Sequence, residues 1–225
     1  MAKETLKNPG KHPRTPMNES SDQRLVQSFP NRSLDRRAVV KALLRDRGDL
    51  LVVAGLGAPA WDCTAAGDHP LTFPLWGAMG SAATIGLGLA LAQPKRRVLV
   101  ITGDGEMLMG IGALATIGVQ QPRNLSIVVL DNEHYGETGM QKTHTAHGVD
   151  LATIAIASGF REGSIVSASN QIAAMRRAVY DGHGPVLFQV KVAADKLPLV
   201  LPPREGAHLK NRFREALLGS VAAYE

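Results

Sequence analysis

Two short polar segments each follow an apolar run that predicts a β-strand. The tetrapeptide GDGE, residues 103–106, follows the run 97–101, and the pair Asp131-Asn132 closes the run 125–131. A glycine-rich turn before a helix usually binds phosphate through its backbone N–H groups, and a carboxylate there should repel phosphate. A carboxylate at Asp104 is therefore compatible with phosphate only if a cation lies between the two. A carboxylate and an amide oxygen, completed by a backbone carbonyl, water and phosphate oxygens, suit the octahedral shell of Mg²⁺.

This reasoning predicts that Asp104 and Asn132 converge on Mg²⁺, while the N–H groups of Gly105 and Glu106 bind the remaining phosphate oxygens. The alternative is an ordinary turn in which Gly105 supplies a positive φ angle and Asp104 caps the following helix. The presence of Asn132 at the next strand end favours the metal site.

Alternating elements must position these residues. Apolar runs predict strands over residues 49–55, 97–101, 125–131 and 185–192, and periodic segments predict helices over residues 33–46, 80–93, 106–119, 150–159 and 169–182. Ser33 or Asp35 is the expected N-cap of the first helix. Fully apolar strands between helices indicate a parallel sheet covered on both faces. The expected fold is therefore α/β, a doubly wound, mainly parallel sheet that binds ligands at the carboxyl ends of its strands.

Composition narrows the class of protein. The chain has 225 residues, a formal charge of +5 and 4% aromatic residues, and its basic residues form no stripe interleaved with aromatics, so nucleic-acid binding is not expected. Cys63 is the only cysteine, which excludes an internal disulfide and suits a reducing compartment. No apolar run reaches the length of a membrane span and no signal peptide is apparent, so we expect a cytoplasmic protein without membrane contact. Residues 1–33 are polar and predict a flexible arm.

A competing motif lies at residues 55–60, where GLGAPA formally fits a dinucleotide-binding fingerprint. Pro59 falls where a helix should be under way, the stretch that follows is interpreted as a loop, and no strand with a terminal acid follows at about twenty residues. We therefore regard the match as accidental. If it were genuine, it would support a nicotinamide-dependent oxidoreductase, which is the alternative hypothesis.

The GDG of residues 103–105 and the DN of residues 131–132 together resemble the signature of thiamine-diphosphate enzymes. The segment LWGAMGSAATIGLGLALA, residues 75–92, resembles the part of these enzymes that lies beneath the coenzyme's pyrimidine ring. The closest resemblance, over about residues 34–192, is to the β subunits or C-terminal halves of sulfopyruvate and phosphonopyruvate decarboxylases. It implies a coenzyme-binding PP domain over residues 34–195, followed by an extension with one helix over residues 196–225.

The resemblance assigns roles to individual residues. Asp104, the Asn132 side chain and the backbone carbonyl of His134 would bind Mg²⁺. Gly77 would accept a hydrogen bond from the coenzyme's amino group, and Met79 would hold the coenzyme bent, so these two are the expected activating residues. Core packing for Met79 and a helix start at Gly77 are the alternatives. The full expected cofactor-binding set is Gly77, Ala78, Met79, Gly103, Asp104, Gly105, Glu106, Asn132, His134, Tyr135 and Gly136.

Asp131 stands where the commoner pattern has Asn, which leaves the ligand position Asn132 unaffected. Lys142, Thr143, His144 and His147 follow the metal loop and are interpreted either as contacts for an anionic substrate or as a solvated surface.

The resemblance further implies a decarboxylase that acts on a small anionic 2-oxoacid and releases CO₂ and an aldehyde. In such enzymes an essential Glu comes from a second α/β domain of similar size, for which residues 1–33 and the piece after Val192 are too short. We therefore expect a separately encoded Pyr-domain (α) subunit and an α2β2 or larger assembly. The alternatives are a carboligase of the acetolactate-synthase kind and a non-catalytic interaction module of the same fold.

Overall fold

The structure, a computed structural model, describes residues 33–220. All of the predicted N-terminal arm except Ser33 lies outside the described residues. The α-helices in the described part are α1 (Arg36–Leu44), α2 (Ala58–Ala65), α3 (Ala82–Ala92), α4 (Asp104–Met109), α5 (Gly112–Gln120), α6 (Leu151–Ala157), α7 (Ile172–Asp181) and α8 (Gly206–Leu218). The strands are β1 (Leu51–Ala54), β2 (Thr72–Pro74), β3 (Val98–Gly103), β4 (Leu125–Asp131), β5 (His134–Tyr135), β6 (Gln141–Lys142), β7 (Glu162–Val166) and β8 (Val186–Lys191).

Six strands form one sheet in the order β2-β1-β3-β4-β8-β7, and every neighbouring pair is parallel. The side chains of β3 and β4 are almost entirely buried, as expected for strands covered on both faces. One hydrophobic cluster joins the sheet to α3, α5 and α6, and a second joins its other face to α1, α2 and α7. The predicted doubly wound α/β fold is therefore confirmed.

Helix starts follow local chemistry. The Asp35 carboxylate accepts a hydrogen bond from Ala38 N at 2.6 Å, so Asp35, and not Ser33, caps α1. The loop predicted after residue 57 is wrong, because α2 begins at Ala58 with Pro59 in its first turn. Proline is tolerated there, since the first helical N–H groups have no partner within the helix. One ground for rejecting the dinucleotide fingerprint thus falls away, although β2 still carries no terminal acid.

The single helix predicted over residues 106–119 is two helices, α4 and α5, which are separated at Gly110 and Ile111. A Cβ atom on Gly110 would overlap the carbonyl oxygen of Gly80. The break therefore lets the chain pass closely against the loop that precedes α3. The strands β2 and β7 were not predicted.

The C-terminal helix α8 covers the edge strand β2. The rings of Phe213 and Phe73 lie 5.6 Å apart, Arg212 pairs with Asp68 at 2.6 Å, and Leu209 is buried. Within residues 33–220, no helix is both long enough and apolar enough to cross a bilayer.

Candidate functional site

Three segments with predicted site residues lie at the same edge of the sheet, where the parallel strands have their carboxyl ends. They are the loop 75–81 after β2, the β3–α4 junction, and the segment 131–143 that follows β4. Gly103 pairs with Leu130 in the register of β3 and β4, so Asp104 and Asn132 follow adjacent strand ends.

The Asp104 carboxylate is buried, with 2% of its surface exposed. Its Oδ2 accepts hydrogen bonds from the hydroxyls of Thr143 at 2.5 Å and Thr145 at 3.3 Å. Burial raises the pKa of Asp104 to about 6, the Thr143 hydroxyl lowers it, and the nearby Asp131 raises it. No Lys, Arg or His in the described part of the chain pairs with Asp104. Asp104 is thus a buried carboxylate without a counter-ion.

The alternative interpretation of residues 103–106 was an ordinary turn, with a positive φ angle at Gly105 and with Asp104 capping the helix. Both parts of that interpretation are wrong. Asp104 is the first residue of α4 and makes no capping hydrogen bond, and Gly105 does not have a positive φ angle. Glycine at 105 instead permits close approach, because a Cβ atom there would lie 2.5 Å from the Tyr135 ring. The structure thereby brings Tyr135 against the β3–α4 turn.

Asp131 differs from Asp104 in having a full set of partners. It accepts hydrogen bonds from Thr145 at 2.7 Å and Gln189 at 2.6 Å, and Lys191 Nζ lies 2.8 Å away. Burial lowers the pKa of Lys191, but hydrogen bonds to Asp131 and Glu133 outweigh it and leave that pKa raised. Lys191 therefore stays charged and neutralises the extra acid at this position.

Asn132 and His134 form a compact turn. Asn132 Oδ1 accepts a hydrogen bond from His134 N at 3.0 Å, and the ring Nδ1 of His134 lies 2.7 Å from the Asn132 carbonyl. The intervening Glu133 has φ of 64°. The His134 imidazole therefore helps to hold this turn, in which Asn132 is half-buried.

The loop 75–81 presents Gly77 and Ala78 to solvent and leaves Met79 half-buried, outside both hydrophobic clusters. Ala78 has φ of 56°, a conformation that costs a non-glycine residue about 1 kcal/mol or more. Such strain is often found where a backbone group must point at a ligand.

Some polar residues behave differently from expectation. Thr143, for which the alternatives are a substrate contact and a solvated surface, is buried and donates its hydroxyl to Asp104, so neither alternative holds for this residue. Lys142, His144 and His147 are exposed and alternate with the buried Thr143 and Thr145. The Glu106 side chain is buried and accepts a hydrogen bond from Thr102 at 2.7 Å, so its carboxylate is engaged within the protein. Gly136, which belongs to the expected cofactor-binding set, is exposed.

The donor set fits Mg²⁺ and a diphosphate. Asp104 is a buried, uncompensated carboxylate, and the Asn132 side chain and the His134 carbonyl would add further hard oxygen ligands. The space in front of Gly77 and Gly103 is open, since a Cβ atom on either would meet no atom within 4 Å. Within residues 33–220, no three His, Cys, Asp or Glu side chains form a metal cluster, so a cation bound here would also need oxygens from amide side chains, the backbone, water or phosphate.

Comparison with known proteins agrees with this geometry. The chain is 34% identical over 188 residues to a sulfopyruvate decarboxylase subunit beta from Methanothermobacter thermautotrophicus, covering 84% of this chain and 98% of the relative. It is 36% identical over 190 residues to a phosphonopyruvate decarboxylase from Streptomyces viridochromogenes, covering 82% of this chain and only 47% of that relative.

Among solved structures, a putative thiamin diphosphate-dependent enzyme from Mycobacterium smegmatis aligns with a TM-score of 0.62 at 24% identity, covering 72% of this chain and 32% of that one. This likeness concerns the fold alone. The family model described as "Thiamine pyrophosphate enzyme, C-terminal TPP binding domain" matches residues 57–190, which is more than half of the sequence. The chain belongs to the thiamine pyrophosphate enzymes and carries their C-terminal TPP-binding domain.

Proposed function

We propose that this chain is the coenzyme-binding subunit of a thiamine-diphosphate-dependent decarboxylase that converts a small anionic 2-oxoacid, of the sulfopyruvate or phosphonopyruvate type, into CO₂ and an aldehyde. The observation that carries the proposal is Asp104, a carboxylate that is 2% exposed at a strand end and has no cationic partner in the described part of the chain. A bound cation is the simplest compensation for such a group.

In this proposal Mg²⁺ is held by the Asp104 carboxylate, the Asn132 side-chain oxygen and the His134 carbonyl. The Thr143 hydroxyl holds Oδ2 of Asp104, which orients the carboxylate for the metal. The backbone of Gly103, Gly105 and Glu106 binds the diphosphate, and Tyr135 and Gly136 wall that end of the site.

At the other end, the carbonyl of Gly77 would accept a hydrogen bond from the coenzyme's amino group, Ala78 would shape the loop, and Met79 would hold the coenzyme in place. The half-burial of Met79 supports this role, because a core methionine would be enclosed. When bound, thiamine diphosphate supplies the nucleophilic carbon and the electron sink for decarboxylation. The chain's residues contribute binding, orientation and proximity.

The partner is a separately encoded Pyr-domain (α) subunit, which would supply the activating Glu and close the site against water. The name "subunit beta" of a relative covered over 98% of its length supports a two-subunit enzyme. We propose an α2β2 or larger assembly. A cytoplasmic location belongs to the same proposal and rests on the single, buried Cys63.

Coenzyme titration tests the metal site. Thiamine diphosphate should bind only with Mg²⁺, Asp104→Ala should abolish binding, and Asn132→Ala should weaken it by a smaller factor. Lys142→Ala, an exposed neighbour, is the matched control and should bind as the wild type does. Normal binding by Asp104→Ala would show that the metal assignment is wrong.

Turnover tests the subunit model. The chain alone should release essentially no CO₂ from any of a panel of 2-oxoacids, and activity should appear when the partner is added. Met79→Ala should bind coenzyme about as well but exchange the C2 proton more slowly. Robust turnover by this chain alone would refute the two-subunit model, and acetolactate-type products would indicate the carboligase instead.

A further inference from the structure

The Glu106 side chain lies where three segments of the chain meet. It is 2% exposed, and its Oε2 accepts a hydrogen bond from the Thr102 hydroxyl at 2.7 Å. Its Oε1 is also buried, and within residues 33–220 no donor meets it at full hydrogen-bond geometry. Burial raises the pKa of Glu106, whereas the Thr102 hydroxyl and the backbone N–H groups of Gly80, Leu56 and Ala82 lower it. The carboxylate thus faces N–H groups from the loop after β1 and from the segment that begins α3.

Gly55 makes room for this carboxylate. A Cβ atom on Gly55 would overlap Glu106 Oε2 and would lie 3.0 Å from Thr102 Oγ1. Gly55 does not have a positive φ angle, so its backbone conformation does not require glycine. What requires glycine at this position is the space that the Glu106 side chain occupies.

A second contact joins α4 to the same loop. The backbone of Gly110, just past the end of α4, packs so closely on the Gly80 carbonyl that a Cβ atom on Gly110 would overlap it. The short helix α4 therefore meets Gly80 both through Glu106 in its first turn and through Gly110 at its end. Asp104 and Gly105 lie on this same helix, so its position sets the distance from the β3–α4 turn to the loop 75–81.

We propose that Glu106 is a positioning residue that holds the segment Gly77–Met79 in register with the β3–α4 turn. The inference rests on the proposed function, in which that segment contacts the pyrimidine end of the coenzyme and the turn contacts the diphosphate. An apolar side chain would fill the same volume without leaving a buried oxygen unpaired. Only an acceptor can draw together a hydroxyl and N–H groups from separate segments.

Hydrogen exchange on the full chain, without coenzyme, tests this role. Glu106→Ala should speed exchange in residues 75–82 by about tenfold, while Glu106→Gln, which keeps an acceptor, should restore most of the protection. Gly112→Ala is the matched control for a glycine substitution, because its new Cβ would meet no atom within 4 Å, and it should leave exchange in residues 75–82 unchanged.

Gly55→Ala should reproduce the effect of Glu106→Ala, since its Cβ displaces the carboxylate. In the Glu106→Ala background the same substitution should add little, because the Cβ then enters vacated space. If Glu106→Ala does not fold, Thr102→Val is used instead. Valine has nearly the same shape as threonine but cannot donate the hydrogen bond to Glu106.

In the assembled enzyme, Glu106→Ala should weaken binding of thiamine diphosphate more than binding of inorganic diphosphate with Mg²⁺. Three results would each overturn the inference. They are unchanged exchange in residues 75–82, faster exchange spread evenly over the whole chain, and a full additive effect of Gly55→Ala in the Glu106→Ala background. Failure of the proposed function shows up separately, as the absence of Mg²⁺-dependent coenzyme binding by the wild type.

Discussion

Replacing Asp104 with asparagine should make the metal-free chain more stable. The wild-type carboxylate is buried without a counter-ion and has only hydroxyl donors in Thr143 and Thr145. Asparagine keeps an acceptor for these hydroxyls and carries no charge. Asp131→Asn is the matched control. It should have the opposite effect, because Asp131 is paired with Lys191 and accepts a hydrogen bond from Gln189, whose own oxygen is held by Leu151 N at 2.8 Å.

The magnitude follows from the pKa of Asp104, which burial raises from 3.8 to about 6. A carboxyl whose pKa is raised in the folded state destabilises that state when charged, so the penalty is full above pH 6 and disappears below about pH 4. At 1.36 kcal/mol per pH unit the shift corresponds to about 3 kcal/mol at most. We expect Asp104→Asn to raise the free energy of unfolding at pH 7.5 by about 2 kcal/mol, since the amide still loses some hydration.

Urea unfolding in EDTA, followed by unfolding with Mg²⁺ and inorganic diphosphate, measures both halves of the prediction. The wild type should gain stability from Mg²⁺ and diphosphate, and Asp104→Asn should gain none. Asp131→Asn should lose about 1–3 kcal/mol in EDTA. An Asp104→Asn variant that is less stable than the wild type in EDTA, or that gains as much as the wild type from the ligands, would refute the reasoning.

Three further predictions concern the surroundings of the site. Lys191→Met should lower the free energy of unfolding by about 3 kcal/mol because it leaves Asp131 buried and unpaired. The exposed control Lys142→Met should change it by less than about 0.5 kcal/mol, and equal effects in urea unfolding would contradict the ion-pair assignment. In α3, the Cβ atom of Gly86→Ala would overlap the Val100 side chain and should destabilise the protein by about 1–3 kcal/mol, whereas that of Gly88→Ala meets no atom and should stabilise it by about 0.5–1 kcal/mol. Thermal unfolding measures both effects, and changes of the same sign would be inconsistent with the packing of α3 on β3. Burial raises the pKa of the Cys63 thiol to about 12, so iodoacetamide at pH 8 should modify it only after unfolding, and rapid native labelling followed by mass spectrometry would show that the thiol is accessible.

The parts of the fold that the sequence predicted are those whose signal is local. The core strands β3, β4 and β8 are continuous apolar runs, and α1 begins at its capping Asp35. The edge strands β2 and β7 were missed because the first has three residues and the second only one buried residue, too little for a hydrophobic pattern. Helix α2 is not predicted from the sequence because Pro59 usually breaks a helix, whereas here it stands in the first turn, where proline is tolerated.

Some residues of the candidate site are predictable from the sequence, whereas their partners are not. Asp104 and Asn132 are predictable because each directly follows an apolar strand, and parallel strands bring their carboxyl ends to one edge. The partners of these residues come from far along the chain. Thr143 and Thr145 reach Asp104 across 39 and 41 residues, and only the folded chain brings these hydroxyls to it. The alternation of Lys142, Thr143, His144 and Thr145 was the available signal, since it indicates two inward hydroxyls between outward charges.

The packing of α8 on β2 has a consequence for synthesis of the protein. Residues 206–218 leave the ribosome well after residues 72–74, so the outer edge of the sheet has no cover while the intervening chain is being made. During that interval the free N–H and C=O groups of β2, together with the Phe73 ring, form a surface on which another nascent chain can pair. Docking of α8 covers the Phe73 ring with Phe213 and ties the helix to Asp68 through Arg212. Chains stalled or cleaved before α8 should therefore be the species that chaperones bind and that aggregate first.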